Sequence, residues 1–181
     1  MSEVILYIAY SLDGFIAKKD GSVGWLDKYD AAGEDYGFSG FYKNIGASIM
    51  GATTYLQALD FKGGIDPKMP TYVVTHRKLD APDGMNVQFY SGDLKALVAD
   101  IRKQTKKDIW LVGGGKLARE FLREGLVDRI IISVIPEILG DGIPLFGILG
   151  RGIRMKLEGT RNYKSGIVQM EYVVEGKRRP R

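Results

Sequence analysis

The stretch Ile109-Trp110-Leu111-Val112-Gly113-Gly114-Gly115-Lys116-Leu117 decides the fold class. Four apolar residues in succession predict a strand buried on both faces. Three glycines follow with no spacer. Leu117, Ala118, Phe121 and Leu122 then recur on one face of a helix that Gly125 can close. Strand, glycine turn and helix aim backbone N–H groups and a helix N-terminus at one point, a geometry that binds anions. Glycine suits the turn because a Cβ would hold a phosphate away from the backbone. The stretch alone leaves two readings open: a pyrophosphate cradle at residues 113–116, or a tight turn with no ligand.

The same pattern recurs upstream. Residues 47–50 form a short apolar run, Gly51-Ala52-Thr53-Thr54 follows, and Tyr55, Leu56 and Leu59 predict a helix. Thr53 and Thr54 either bind phosphate oxygens or cap that helix. Thr71-Tyr72-Val73-Val74 reads as another strand, ending in Thr75-His76-Arg77-Lys78. A hydroxyl and cations at the C-terminal end of a parallel strand sit where such sheets hold ligands, and they equally make a solvated loop.

Residues 4–10 predict a buried strand, ended by the turn Ser11-Leu12-Asp13-Gly14. Phe15-Ile16-Ala17 returns, a polar loop follows, and Trp25-Leu26 closes it. Ile16 and Trp25 either cover a flat ring or anchor the core. Phe38, Phe41, Tyr42 and Ile45 fit one face of a helix over 36–45, with Asp35 at its start as a cap or first-turn carboxylate. Residues 87–90 and 129–135 predict strands. Asp93 caps a helix bearing Leu94, Leu97, Val98 and Ile101. Residues 153–158 and 168–174 alternate and predict a C-terminal antiparallel hairpin through 162–166. The order implies an α/β fold, a mostly parallel central sheet with an antiparallel edge. One domain is expected over residues 1–176, with a basic disordered tail at 177–181.

The 181-residue chain carries 45% hydrophobic and 27% charged residues, ordinary for a globular domain. No cysteine excludes disulfides, thiolate metal sites and thiol catalysis, and one histidine excludes a His-rich metal centre. The net charge of +4 mildly favours anionic ligands. Lys177, Arg178, Arg179 and Arg181 carry much of it, and they read as a solvated end rather than a nucleic-acid arm. The N-terminal apolar run breaks at Asp13-Gly14, too early for a signal peptide or a membrane span, so a cytoplasmic protein with neither nucleic-acid nor membrane partners is expected.

Four motifs in order resemble the dihydrofolate reductase superfamily, and most closely the reductase domain of riboflavin biosynthesis with its stand-alone bacterial relatives. They are Ser11-Leu12-Asp13-Gly14-Phe15-Ile16-Ala17, Met50-Gly51-Ala52-Thr53-Thr54-Tyr55, Trp110-Leu111-Val112-Gly113-Gly114-Gly115 and Leu139-Gly140-Asp141-Gly142-Ile143-Pro144-Leu145-Phe146. The resemblance implies a three-layer dihydrofolate-reductase-like fold and hydride transfer from NADPH to a heterocycle, of the 5-amino-6-(5-phosphoribosylamino)uracil reductase type. It places the main chain of Ala9 on the carboxamide, Ile16 and Ala17 beside the nicotinamide, and Thr54 with Gly113, Gly114, Gly115 and Lys116 at the pyrophosphate, with Gly51, Thr53, Val112 and Leu117 as further cofactor-binding residues. Thr75, His76, Arg77 and Lys78 fall at the adenosine ribose. It also implies a cis peptide at Gly113-Gly114 and a homodimer paired through the hairpin. Two positions depart from the pattern: Ala52 replaces an arginine that usually partners the 2′-phosphate, leaving NADH possible, and Asp141 replaces a glycine.

Hydride transfer needs the donor and acceptor carbons about 3 to 3.5 Å apart, and a proton for the atom that gains charge. Asp35 is the acid named for that role. Partly buried, it can hydrogen-bond a ring, or have its pKa raised and pass a proton. Tyr7, Trp25, Tyr36 and Ser133 are the other residues expected around a small-molecule substrate. Phe41 and Tyr42 can stack a flat ring, although aromatic residues at helical spacing also serve as core. The alternatives are dihydrofolate reductase-like activity, or a nucleotide-binding module without catalysis.

Overall fold

The computed structural model of the chain describes residues 2–30, 33–61 and 63–176. Ten strands alternate with five helices: β1 Val4–Ser11, β2 Phe15–Ala17, α1 Asp27–Asp30, α2 Phe38–Tyr42, β3 Ile45–Gly51, α3 Ala52–Asp60, β4 Thr71–Val74, β5 Val87–Tyr90, α4 Leu94–Gln104, β6 Asp108–Gly113, α5 Gly115–Arg123, β7 Arg129–Ile135, β8 Ile143–Pro144, β9 Met155–Asn162 and β10 Val168–Val174. Eight of the strands form one sheet in the order β5-β4-β3-β6-β1-β7-β10-β9. All neighbours from β5 to β7 are parallel, and β10 pairs antiparallel with both β7 and β9. The expected fold class is therefore the observed one. The basic tail at 177–181 lies outside the described residues.

The central strands are apolar runs because both sheet faces are covered, α4 and α5 packing on one and α2 and α3 on the other. Val4 and Leu6 of β1, Ile109 and Leu111 of β6, and Ile130 and Ile132 of β7 share one core cluster with Leu97, Val98 and Ile101 of α4 and Phe121 and Leu122 of α5. Asp93 caps α4 by accepting from the Ala96 N–H at 2.8 Å. Gly125, at φ +66°, ends α5 in the left-handed conformation that a glycine adopts most easily.

Two elements differ from the sequence expectation. The helix expected over 36–45 is only the five residues of α2. The Asp35 carboxylate accepts from the Gly37 and Ser39 N–H groups at its start, and Ile45 has been drawn into β3, where it is buried opposite Asp108. Strand β9 runs to Asn162 rather than stopping at 158. It is an edge strand, mostly exposed, so burial imposes no pattern by which to read its end.

A separate two-stranded sheet, β2 with β8, was not predicted as a pairing. Ser11 and Asp13 fasten it. The Ser11 hydroxyl donates to Asp13 at 2.5 Å, and the Asp13 carboxylate accepts from the N–H groups of Leu139 and Gly140 at 3.1 and 2.7 Å. A Cβ at Gly142 would overlap the Ala17 carbonyl, so only glycine allows this approach.

The Ser11 hydroxyl bond and the two N–H groups hold the Asp13 carboxyl below its ordinary range, against the opposing desolvation. Its contribution to stability is therefore complete above the ordinary carboxylate range, near pH 4, and is lost as pH falls through the lower folded-state value. Asp13→Asn is expected to lower the melting temperature at neutral pH and to flatten its decline below about pH 4, as a calorimetric pH series will measure.

Candidate active site

The C-terminal ends of β3, β4 and β6 lie on one edge of the sheet, with Met50 registered to Gly113 and Gly51 to Val74. Helices α3 and α5 both begin there. Their N-cap residues, Gly51 and Gly114, supply no side-chain cap. The first-turn N–H groups of two neighbouring helices thus open toward the same place, as an anion requires. Thr53 is exposed in that turn. Thr54 turns inward, its hydroxyl accepting from the Gly114 N–H at 3.0 Å and joining the two turns. Thr54→Val removes that acceptor and is expected to cost about 1 kcal/mol, a fall of about 2–4 °C in melting temperature.

The exposed side chains of His76, Arg77 and Lys78 follow β4, and the Thr75 hydroxyl turns back to the Arg77 N–H at 2.9 Å. Lys116 is exposed in the first turn of α5. The cations of Arg77, Lys78 and Lys116, with these N–H donors, fit a dinucleotide phosphate chain. Not every residue expected to bind the cofactor presents its side chain. Leu117 is in the main core and Val112 packs against the cluster of Met50, Tyr55, Ile65 and Val73, so only their backbone faces the edge.

The expected cis bond is absent: the described residues contain no cis peptide. The turn is made instead by Gly113 at φ +125°, a conformation that L side chains rarely adopt. Gly115 is buried, and a Cβ there would come within 2.6 Å of the Pro144 carbonyl and 3.5 Å of Ile16 Cδ1. The small β2–β8 sheet therefore holds Ile16 against the glycine turn. Ala17 is buried behind it.

Between the glycine turn and the rest of the sheet, β1 parts from β6. The β1–β6 ladder ends at Leu6 opposite Leu111, whereas the β1–β7 ladder continues to Ser11 opposite Ile135. The Trp110 indole donates to the Tyr7 carbonyl at 3.3 Å where the ladder stops. Beyond it, Ala9 stands at a notch in the sheet, at the strand whose two neighbours lead in opposite topological directions.

Ala9 also lines an adjoining cleft of about 320 Å³ with Tyr7, Tyr29, Tyr36, Ser133 and Ile135 among others. The volume suits a small ligand, and the lining is mainly aromatic and aliphatic. Its floor is a hydrogen-bonded group that sequence reading missed. Gln169 of β10 is buried, and its amide nitrogen lies 3.1 Å from each of the Tyr7 hydroxyl, the Tyr36 carbonyl and the Ser133 hydroxyl. Tyr7 donates to the Tyr36 carbonyl at 3.1 Å. Burial, foremost, pushes the Tyr7 phenol above its usual pKa, so it is neutral and keeps its proton at physiological pH. Tyr36, at φ +50°, is the one non-glycine among the described residues with a positive φ, and that turn aims its carbonyl at Gln169 and Tyr7.

Asp35 lines the cleft, but the expectation of a buried carboxyl with a raised pKa is corrected. The carboxylate is exposed, and the Gly37 N–H, followed by Ser39, holds it below the ordinary carboxylate value. It serves as an ionised cap to α2. Trp25 is not on the cleft surface. It packs with Tyr29, Ile135 and Ile167 in the wall. Phe41 stacks on Tyr7 with ring centroids 4.5 Å apart, while Tyr42 packs edge-on to Trp110 and donates to Asp66 at 2.9 Å. Both are half-buried and engaged with these neighbours, and neither lines the cleft.

Residues 2–169 match the profile of the RibD C-terminal domain. The chain belongs to the RibD C-terminal domain family. It is 36% identical over 171 residues to YwjB of Bacillus subtilis, an uncharacterized protein, covering 94% of this chain and 97% of that one. A crystal structure from Shewanella sp. PV-4, named for riboflavin biosynthesis, superposes with a TM-score of 0.86 at 28% identity, over 97% of this chain and 99% of that one. Dihydrofolate reductase of Enterococcus faecalis, solved with NADP(H), shares the fold at a TM-score of 0.63 and 13% identity, over 96% of each chain. Within the RibD C-terminal domain fold, the motif Leu139-Gly140-Asp141-Gly142 has a clear local role. Its first two N–H groups bind Asp13, and Gly142 allows β2 and β8 to meet. Asp141 pairs with Lys19 at the surface, so the side chain at this position points away from the strand contact.

Proposed function

We propose that this protein is an NAD(P)H-dependent reductase that transfers hydride to a small flat heterocycle. The observation that carries the reading is the notch where β1 leaves β6, because it opens between the anion-binding sheet edge and the aromatic cleft. Membership of the RibD C-terminal domain family and the fold shared with a dihydrofolate reductase solved with NADP(H) support it. A reduced nicotinamide supplies the hydride when bound. The chain's residues supply alignment. The turns at Gly51 and residues 113–116 would hold the phosphate chain of the dinucleotide, and the main chain of Ala9 and the side chain of Ile16 would hold its nicotinamide end. Tyr7, Tyr29 and Tyr36 orient the substrate. Tyr7 holds a proton at its hydroxyl beside Gln169, and it replaces Asp35 as the residue suited to deliver one.

Arg77 and Lys78, exposed past β4, stand in for the arginine that Ala52 lacks, so NADPH is the preferred cofactor. Titrating the protein with NADPH and NADH, followed by ligand fluorescence and melting temperature, tests binding. Loss of reduced-nicotinamide absorbance with 5-amino-6-(5-phosphoribosylamino)uracil precursors, their ribosides and dihydropterins tests turnover. A melting temperature unmoved by either dinucleotide would sink the reading.

A further inference from the structure

A second cleft, of about 340 Å³, opens on the sheet face under α2, and it meets the aromatic cleft at Tyr7. Alternate residues of a strand face the same way. On β1, Ala9 and Tyr7 line the aromatic cleft, while Tyr7 and Ile5 line the second, nearer the start of the strand. On β7, Ser133 and Ile135 fall in the first, and Ile131 and Arg129 in the second. The partition is the hydrogen-bonded bar at Gln169. In it the Tyr7 hydroxyl lies 3.1 Å from the carbonyl of Tyr36, which lines the aromatic cleft, and 3.1 Å from the amide nitrogen of Gln169, which lines the second.

The second cleft is polar where the first is aromatic. At its far end Arg129 is ion-paired with Glu3 and Glu171, and the Asp108 carboxylate accepts from the Glu3 N–H at 2.8 Å. At the bar stands Arg161 of β9, which has no ion pair among the described residues. A Cβ on Gly37 would lie 2.8 Å from its guanidinium, 3.7 Å from the Tyr163 hydroxyl and 3.9 Å from Gln169 Oε1, so the three groups converge there. Gln169 thus turns its amide oxygen toward the cation and its nitrogen toward Tyr7. The rim, at Gly40, Asn44 and Arg161, is exposed. A polar cavity of this size admits water, because its walls supply several hydrogen-bond partners.

A tyrosine that gives up a proton in each cycle has to recover one. In the reaction proposed above, the Tyr7 O–H bond breaks, the proton goes to the substrate atom that gains charge from the hydride, and a phenolate remains. Substrate and dinucleotide then occupy the aromatic cleft and the notch, and they exclude water from that side. The second cleft still reaches Tyr7.

We propose that the second cleft is the proton-supply side of Tyr7: water in it returns the proton to the phenolate, and Arg161 is the positioning residue that steadies the phenolate and the Gln169 amide. The hydroxide so formed leaves by the exposed rim and is neutralised by the medium. This rests on the reductase reading, in which Tyr7 is the donor. Burial opposes ionisation of Tyr7 most strongly, the Gln169 bond favours it, Tyr163 and Asp35 oppose it, and Arg161 favours it. The other titratable groups of the two clefts are Glu34, Tyr29 and Tyr36 in the first, and Asp108 with the Arg129 group in the second.

The test plugs each cleft in turn. Gly40 of α2 lines the second cleft, and a Cβ there meets nothing within 4 Å, so Gly40→Phe adds a ring without a backbone clash. Ile131→Phe fills the same cleft from the sheet side. Ala9→Leu fills the aromatic cleft in place of a bound ring. Ionisation of Tyr7 after an alkaline pH jump is followed by ultraviolet absorbance against Tyr7→Phe. Ala9→Leu alone is expected to keep the parent rate, and Ala9→Leu with either plug of the second cleft to slow it by about tenfold or more. In otherwise parental protein, each plug of the second cleft is expected to slow turnover and enlarge its solvent deuterium isotope effect, with dinucleotide affinity held within about twofold. Arg161→Met is expected to move the Tyr7 titration to more alkaline pH, and Arg161→Lys to restore most of the difference. An Ala9→Leu variant as slow as the doubly plugged one, or double plugs that keep the parent rate, overturns the proton-supply role. A Tyr7 titration unmoved by Arg161→Met overturns the role of Arg161. Binding of neither dinucleotide sinks the reductase reading, while the pH-jump arm still decides the route to Tyr7.

Discussion

Gly113→Val is expected to abolish measurable dinucleotide binding and to lower the melting temperature by about 5–10 °C. Gly113 ends β6 at φ +125°, where a β-branched residue is strained at a cost of about 1–3 kcal/mol. Its Cβ would lie 3.1 Å from Ile8 Cδ1, tighter than an ordinary contact, so the strand bordering the notch must give way. For a chain of this size each kcal/mol corresponds to about 2–4 °C. The binding loss is larger than the stability loss implies, because the two valine methyl groups point into the gap between β1 and β6. Gly51→Ala separates the two effects. Gly51 has φ −83°, and a Cβ there meets nothing within 4 Å. Its melting temperature is expected to stay within about 1–2 °C of the parent, since an unstrained exposed change is worth about 0.5 kcal/mol or less. Dinucleotide affinity is nonetheless expected to fall several-fold, because the added methyl occupies space that the phosphate chain needs. Equal affinity in the parent and Gly51→Ala would remove the α3 turn from the cofactor site.

The parallel strands were legible because each is covered on both faces and so spells an unbroken apolar run, as residues 109–112 do. The cofactor edge was legible because strand, small-residue turn and helix recur at Gly51 and Gly113, and the sheet order brings both ends together. Pairing of β2 with β8 was not legible. The two strands are three and two residues long, and they are fixed by Asp13 and by a contact that only Gly142 permits, neither of which has a periodicity. Asp35 showed the limit of reading a carboxylate from its place in a motif. Sequence put it at the start of α2, and both readings of it began there. Whether it lay buried in the pocket or exposed as a cap depended on the left-handed turn at Tyr36 and Gly37, which frees the Gly37 N–H to reach the carboxylate.

Gln169 was missed for a related reason. In β10 the apolar residues Val168, Met170 and Tyr172 alternate with Gln169 and Glu171, and such a pattern reads as one core face and one solvent face. The register shows otherwise. Gln169 lies opposite Ser133 of β7, and α2 roofs that part of the sheet, so the polar face is a pocket floor. The signal available was the pairing of two polar residues, Ser133 and Gln169, in strands otherwise rich in isoleucine and valine.

That floor predicts a large and separable effect for Gln169→Leu. Leucine has nearly the same volume but donates no hydrogen bond, and the buried Ser133 hydroxyl loses the partner it has in the structure. Leaving one buried hydroxyl unpaired costs about 1–3 kcal/mol, whereas replacing both partners with apolar groups is nearly neutral. Ser133→Ala in the Gln169→Leu background is therefore expected to recover most of the loss, giving a coupling energy of about 1–2 kcal/mol in a denaturation double-mutant cycle. A merely bulky or misfolded variant would not be rescued by a second truncation. Tyr7 provides an independent readout. The Gln169 bond lowers its pKa, against the larger upward push of burial, so Gln169→Leu is expected to move the Tyr7 phenolate titration further to alkaline pH, measured by ultraviolet difference absorbance against Tyr7→Phe. If Tyr7 delivers the proton that follows hydride transfer, the same variant slows turnover by about tenfold with dinucleotide affinity unchanged, because the glycine turns at Gly51 and residues 113–116 do not touch this network. Equal losses in dinucleotide binding and in turnover would instead assign Gln169 a purely structural role.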